Sequence, residues 1–94
     1  MALMNRPKTP ENAEILALEG LGWLAGDEDG FQMFMEQSGV DPAQLRDAAG
    51  SPGMAVAVLD FLLGHEELLL RFCESQQIDP RAVHRARYQL GGEA

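Results

Sequence analysis

Four residues near the C-terminus have types and spacing that could make a binding site. Arg81, His84, Arg85 and Tyr88 stand at i, i+3, i+4 and i+7, so on a helix they share one face, while Val83, Ala86 and Leu90 take the opposite face. Guanidinium forks suit carboxylate or phosphate oxygens, and a tyrosine ring adds apolar contact area with a polar tip. Residues 80–90 carry three Arg and no acid, whereas residues 1–79 carry 14 acids against four bases. The bland account is a solvated last helix whose bases are favoured near its C-terminal end and pair with Glu66, Glu67 or Glu74. The sharper account is a contact site for an anionic partner surface, with these four residues as the partner-binding set.

The other chemistry-bearing residues give weaker signals. "GDEDG" at 26–30 begins like a calcium loop, but from Asp27 the fifth and sixth positions are Phe31 and Gln32, where an oxygen ligand and a glycine are needed. Those acids fit better as favourable charge at a helix N-terminus. "GHEELL" at 64–69 is not a zinc-binding H-E-x-x-H, and the only other histidine is His84. With a single cysteine, Cys73, no tetrahedral zinc site of usual spacing is expected. Cys73 falls on an apolar helix face and reads as a buried, inert thiol. Ser38, Ser51 and Ser75 fall at caps or helix ends, and no G-x-S-x-G, phosphate loop or dinucleotide fingerprint is present. We expect no catalytic residue, no metal site, no cofactor and no enzymatic activity.

The elements that must position the basic stripe come from an internal repeat. Shifted by 38 residues, the chain matches itself at Ala17/Ala55, Leu21/Leu59, Leu24/Leu62, Gly26/Gly64, Glu28/Glu66, Phe34/Phe72, Glu36/Glu74, Asp41/Asp79, Pro42/Pro80 and Ala48/Ala86. Chance would give roughly two or three such identities on ordinary residue usage. The expectation is one helical domain over 1–94: a leader (1–9), two three-helix copies near 13–50 and 51–88, and a tail (91–94). Asp41-Pro42, Asp79-Pro80, Ser51-Pro52 and Thr9-Pro10 each place a capping side chain before a proline at the first helical position. Gly26 and Gly64 sit where a left-handed residue would end a helix. No alternating strand pattern with turn chemistry appears. Helices are expected near 10–25, 28–38, 42–49, 52–63, 66–76 and 80–90, giving an all-α bundle.

Positions apolar in both copies predict the core: Leu16/Met54, Leu18/Val56, Leu21/Leu59, Trp23/Phe61, Leu24/Leu62, Phe31/Leu69, Phe34/Phe72, Met35/Cys73, Val40/Ile78 and Leu45/Val83. Met33, Val58, Leu68, Leu70 and Tyr88 are apolar in one copy only. They either pack one copy on the other or form an exposed patch, with Met33, Leu68 and Leu70 as the alternative contact surface.

Composition narrows the function classes. A chain of 94 residues allows one domain, and 46% apolar with 23% charged residues is ordinary for a globular protein. The net charge of −8 disfavours a nucleic-acid binder and docking on anionic lipid. No apolar run is long enough for a signal peptide or a membrane span, so a cytoplasmic protein is expected.

The pattern "VLDFLLGHEELLLRFCESQQIDPRAV", with its earlier echo "LGWLAGDEDGFQMFMEQSGVDPAQLR", resembles a family of short alphaproteobacterial proteins known as domain of unknown function 3572. The residues carrying the resemblance, Asp60-Phe61-Leu62-Leu63, Phe72 and the two Asp-Pro starts, pack and cap. The resemblance therefore implies a fold and no chemistry. The expected function is a non-catalytic protein–protein interaction module whose partner presents an anionic surface. The alternatives are a homodimeric assembly factor and, behind it, a nucleic-acid-associated accessory protein.

Overall fold

Helix starts in this chain fall where a short polar side chain can accept hydrogen bonds from backbone N–H groups that have no helical partner. Asn12 accepts from Glu14 N at 2.8 Å and Ile15 N at 3.3 Å. Asp27 accepts from Gly30 N at 3.0 Å, Asp41 from Ala43 N at 3.0 Å, Ser51 from Met54 N at 3.1 Å and Asp79 from Arg81 N at 2.9 Å. The computed structural model describes residues 12–91. It contains α1 (Ala13–Ala25), α2 (Glu28–Ser38), α3 (Pro42–Ala48), α4 (Pro52–Leu63), α5 (Glu66–Gln76) and α6 (Pro80–Gln89). No strand occurs among the described residues, and the architecture is the expected all-α bundle. The start near residue 10 is corrected: Asn12 is extended and α1 begins at Ala13. The Thr9-Pro10 signal lies outside the described residues.

α5 has no side-chain cap. His65, in the place Asp27 holds before α2, turns its ring back instead. Its Nδ1–H donates to the Phe61 carbonyl at 2.8 Å, which leaves Nε2 to accept from Gln37 Nε2 at 3.3 Å. The imidazole lies against the Phe61 ring, centroids 4.3 Å apart.

Helix ends depart from expectation at two sites. Gly26 (φ −90°) and Gly64 (φ −86°) keep right-handed conformations, so left-handed geometry is not why glycine stands there. Crowding explains Gly64 better: a Cβ would come within 3.3 Å of the Asp60 carbonyl. Left-handed residues end α2, at Gly39 (φ 73°), and α5, at Gln77 (φ 57°, ψ 49°). Gly39 N donates to Met35 O at 3.1 Å in a simple left-handed cap. After α5 the motif is fuller: Ile78 N reaches Cys73 O at 2.9 Å, Gln77 N lies 3.3 Å from Glu74 O, and buried Ile78 and Cys73 bring the apolar partners of a Schellman motif.

α1 and α4 form the central pair, and α6 packs across both. Phe34, Phe72, Leu16, Leu24, Leu59, Leu62, Val58 and Val83 are fully buried, and no polar or charged residue among the described ones is buried as a whole. The ring contacts are reciprocal. Trp23 meets Phe72 at 5.8 Å and Phe61 meets Phe34 at 5.3 Å, and in the 38-residue register Trp23 corresponds to Phe61 and Phe34 to Phe72. Two other positions approach their own counterparts. A Cβ on Gly20 would stand 3.3 Å from Val58, and one on Gly30 would stand 3.4 Å from Leu68.

These glycines decide two of the one-copy apolar residues. Val58 and Leu68 are buried over the two glycines, so Leu68 is not part of any exposed patch, contrary to the alternative surface considered above. Met33 is half-buried and Leu70 exposed. The expectation of a buried Leu18 is also corrected: it is 47% exposed. Leu18 stands at the edge of an open groove of about 870 Å³ between α1 and α3. α3 carries no buried residue, and its apolar Leu45 and Ala48 are only half-buried.

Candidate functional site

α6 is held from two directions. Asp79 caps its start and proline fixes its first turn. Ala82, Val83 and Ala86 bury its inner face, with Leu90 half-buried at the end. Arg87, only 14% exposed in its side chain, donates Nε–H to Asp60 Oδ1 at 2.7 Å and Nη1–H to the Gly91 carbonyl at 2.7 Å. This clamp was not foreseen from sequence, because Arg87 and Asp60 are 27 residues apart and each alone looks like surface charge.

With the inner face fixed, Arg81, His84, Arg85 and Tyr88 all point outward and are exposed, Tyr88 to 86%. The structure brings the four together on one helix face, at the spacing that helical geometry dictates. Arg81 is engaged by its own cap residue rather than by Glu66, Glu67 or Glu74. Its Nη2–H donates to Asp79 Oδ2 at 2.8 Å, and its Nε–H lies 3.2 Å from the same oxygen. Those side-chain bonds, then the Arg81 backbone N–H, hold the Asp79 carboxyl down at about 2, with smaller help from the Arg81 and Arg85 charges. The same pairing raises the Arg81 pKa. The side chains of His84, Arg85 and Tyr88 form no hydrogen bond, ion pair or ring contact among the described residues. The site thus offers one tethered guanidinium, one untethered guanidinium, an imidazole and a wholly accessible phenol.

Elsewhere Arg71 and Asp27 are absorbed into structure. Arg71 lies over the Trp23 ring, 5.6 Å from its centroid, and reaches the Asp27 carboxylate at 3.4 Å, joining α5 to the α1–α2 turn. Asp27 is thereby both a helix cap and an ion-pair partner. No group of three or more His, Cys, Asp or Glu among the described residues is placed to hold a metal ion. Burial, and secondarily the Asp79 charge, push the Cys73 thiol up, which opposes thiolate formation. No helix among the described residues is long and apolar enough to cross a membrane.

No curated protein and no solved structure matches the chain. The family described as "protein of unknown function (DUF3572)" matches residues 10–93. The packing and capping residues on which the resemblance was read lie within that span, and the chain belongs to this family.

Proposed function

We propose that this protein is a non-catalytic, cytoplasmic interaction module of two helical repeats, and that it docks an anionic surface of another protein through the outer face of α6. The observation that carries the reading is the combination of Tyr88, 86% exposed, with Arg85 and His84, which are also exposed and whose side chains make no hydrogen bond or ion pair among the described residues. A large exposed aromatic ring beside an untethered guanidinium has the composition of an interface hot spot. In an acidic chain, a local basic face selects and orients partners more than it stabilises the fold. The reciprocal contacts between the halves support the repeat reading.

The test is affinity capture from host extract with wild type and an Arg81→Glu/Arg85→Glu variant, at low and raised salt. The reading expects a protein captured by wild type, lost on the double variant, and weakened by salt. Equal capture by a folded double variant removes α6 from the site. A nucleic acid in the captured material would favour the accessory-protein alternative. A sedimentation shift to twice the mass would favour the homodimer.

A further inference from the structure

The groove between α1 and α3 lies where a helix–helix seam is left open. At the counterpart place in the second half α6 closes on α4: Val83 is fully buried, and Arg87 reaches Asp60 at 2.7 Å. In the 38-residue register those two bridging positions hold Ala49 and Gly22, which can form no ion pair. Leu45 stands in the place of Val83 but is only half-buried. The opening that results is about 870 Å³, floored by Leu21 and Phe31. Its α1 wall, from Leu18 to Ala25, runs two helical turns, roughly 11 Å. A Cβ added at Gly22 would meet nothing within 4 Å, so that wall has room for an incoming side chain.

We propose that this groove seats a short amphipathic helix of a partner protein, apolar on the seated face and basic on its flanks. The molecule contains a template for that occupant. The helix that fills the counterpart seam is α6, which turns Ala82, Val83 and Ala86 inward and carries three arginines. Charge points the same way. Arg46 and Asp47, the ionised residues lining the groove, cancel each other, whereas the chain as a whole carries −8. That field draws a basic segment and repels a second copy of this chain. Two turns of wall match the i, i+3/i+4, i+7 anchors by which a helix lies in an apolar groove. The surface is separate from the outer face of α6, and its charge preference is opposite. The protein would then hold one anionic and one cationic partner element at once.

The test uses the full chain and a synthetic helical peptide of about four turns, with Leu at i, i+3, i+4 and i+7 spacing and Lys elsewhere. Amide chemical shifts locate the peptide, and fluorescence anisotropy gives its affinity. The inference expects shifts concentrated at Gly22, Ala25, Ala43 and Ala49. It expects at least a tenfold weaker affinity for Gly22→Leu, and likewise when Lys is replaced by Glu throughout the peptide. Melting checks that Gly22→Leu is folded; if it is not, Ala49→Leu fills the same groove from the other wall. No binding, binding unchanged by a folded groove-filling variant, or equal binding of the Glu peptide overturns the inference. So does a peptide-free dimer that the groove-filling variant dissolves, which would make a second copy the occupant.

Discussion

Gln77 is the one residue other than glycine with positive φ among the described residues, at φ 57° and ψ 49°. In this region an L side chain crowds the following carbonyl, at about 1–2 kcal/mol. Glycine avoids that crowding but has a freer unfolded chain, which removes about 0.5–1 kcal/mol of the gain. Gln77→Gly should therefore stabilise the protein by about 0.5–1 kcal/mol. The bonds that close α5, Ile78 N to Cys73 O and Gln77 N to Glu74 O, are backbone bonds that glycine retains. At about 4–8 °C per kcal/mol for a domain of this size, the midpoint should rise by roughly 2–8 °C. Thermal and urea unfolding followed by circular dichroism measure it. The mirror experiment is Gly39→Gln, which places the same side chain in the other left-handed cap and should lose a similar amount. Gly39→Val, with a β-branched side chain there, should lose more, at least about 1 kcal/mol. A lower midpoint for Gln77→Gly, or no loss for Gly39→Val, would refute the strain argument at both caps.

Phe34→Ala and Phe72→Ala each empty a fully buried site and should each cost about 3–5 kcal/mol, a large share of the whole stability, read as the shift of the midpoint in chemical denaturation. Gly20 and Val58 meet across the two halves, so each single exchange, Gly20→Val or Val58→Gly, should destabilise, while the double variant should recover at least about 1 kcal/mol of the summed loss in a double-mutant cycle. Asp79 has a depressed carboxyl pKa, from an ordinary 3.8 to about 2, so its contribution is present above the unfolded value and lost as pH falls from about 4 to about 2; carbon-detected NMR titration should show that midpoint, and Arg81→Ala should move it back up.

The helices were legible because their signals are local. Asp-Pro and Ser-Pro starts and apolar residues at helical spacing need no knowledge of the rest of the chain. The internal register added more: it equates Phe34 with Phe72, both of which are fully buried. What it could not give is where the copies differ in packing. Leu18 is apolar like Val56, yet it lines an open groove, where Gly22 and Ala49 stand at the register positions of Asp60 and Arg87. Leu68, with Gly30 as its counterpart, could either pack inward or join a patch, and the space over that glycine is the one it fills. The exposure of His84, Arg85 and Tyr88 was legible from Val83 and Ala86 on the opposite face. The tethering of Arg81 was not, because it depends on the rotamer of a cap residue two positions away.

The central claim is that the outer face of α6 is a docking surface and not a structural one. Its most direct measurement is the amide chemical-shift map of the labelled protein on addition of the captured partner, beside the melting curve of the Arg81→Glu/Arg85→Glu variant. The account predicts shifts centred on Arg81, His84, Arg85 and Tyr88, and melting within about 1 kcal/mol of wild type, as befits exposed charges. Shifts centred on Met33 and Leu70 instead, or unfolding of the double variant, would contradict it.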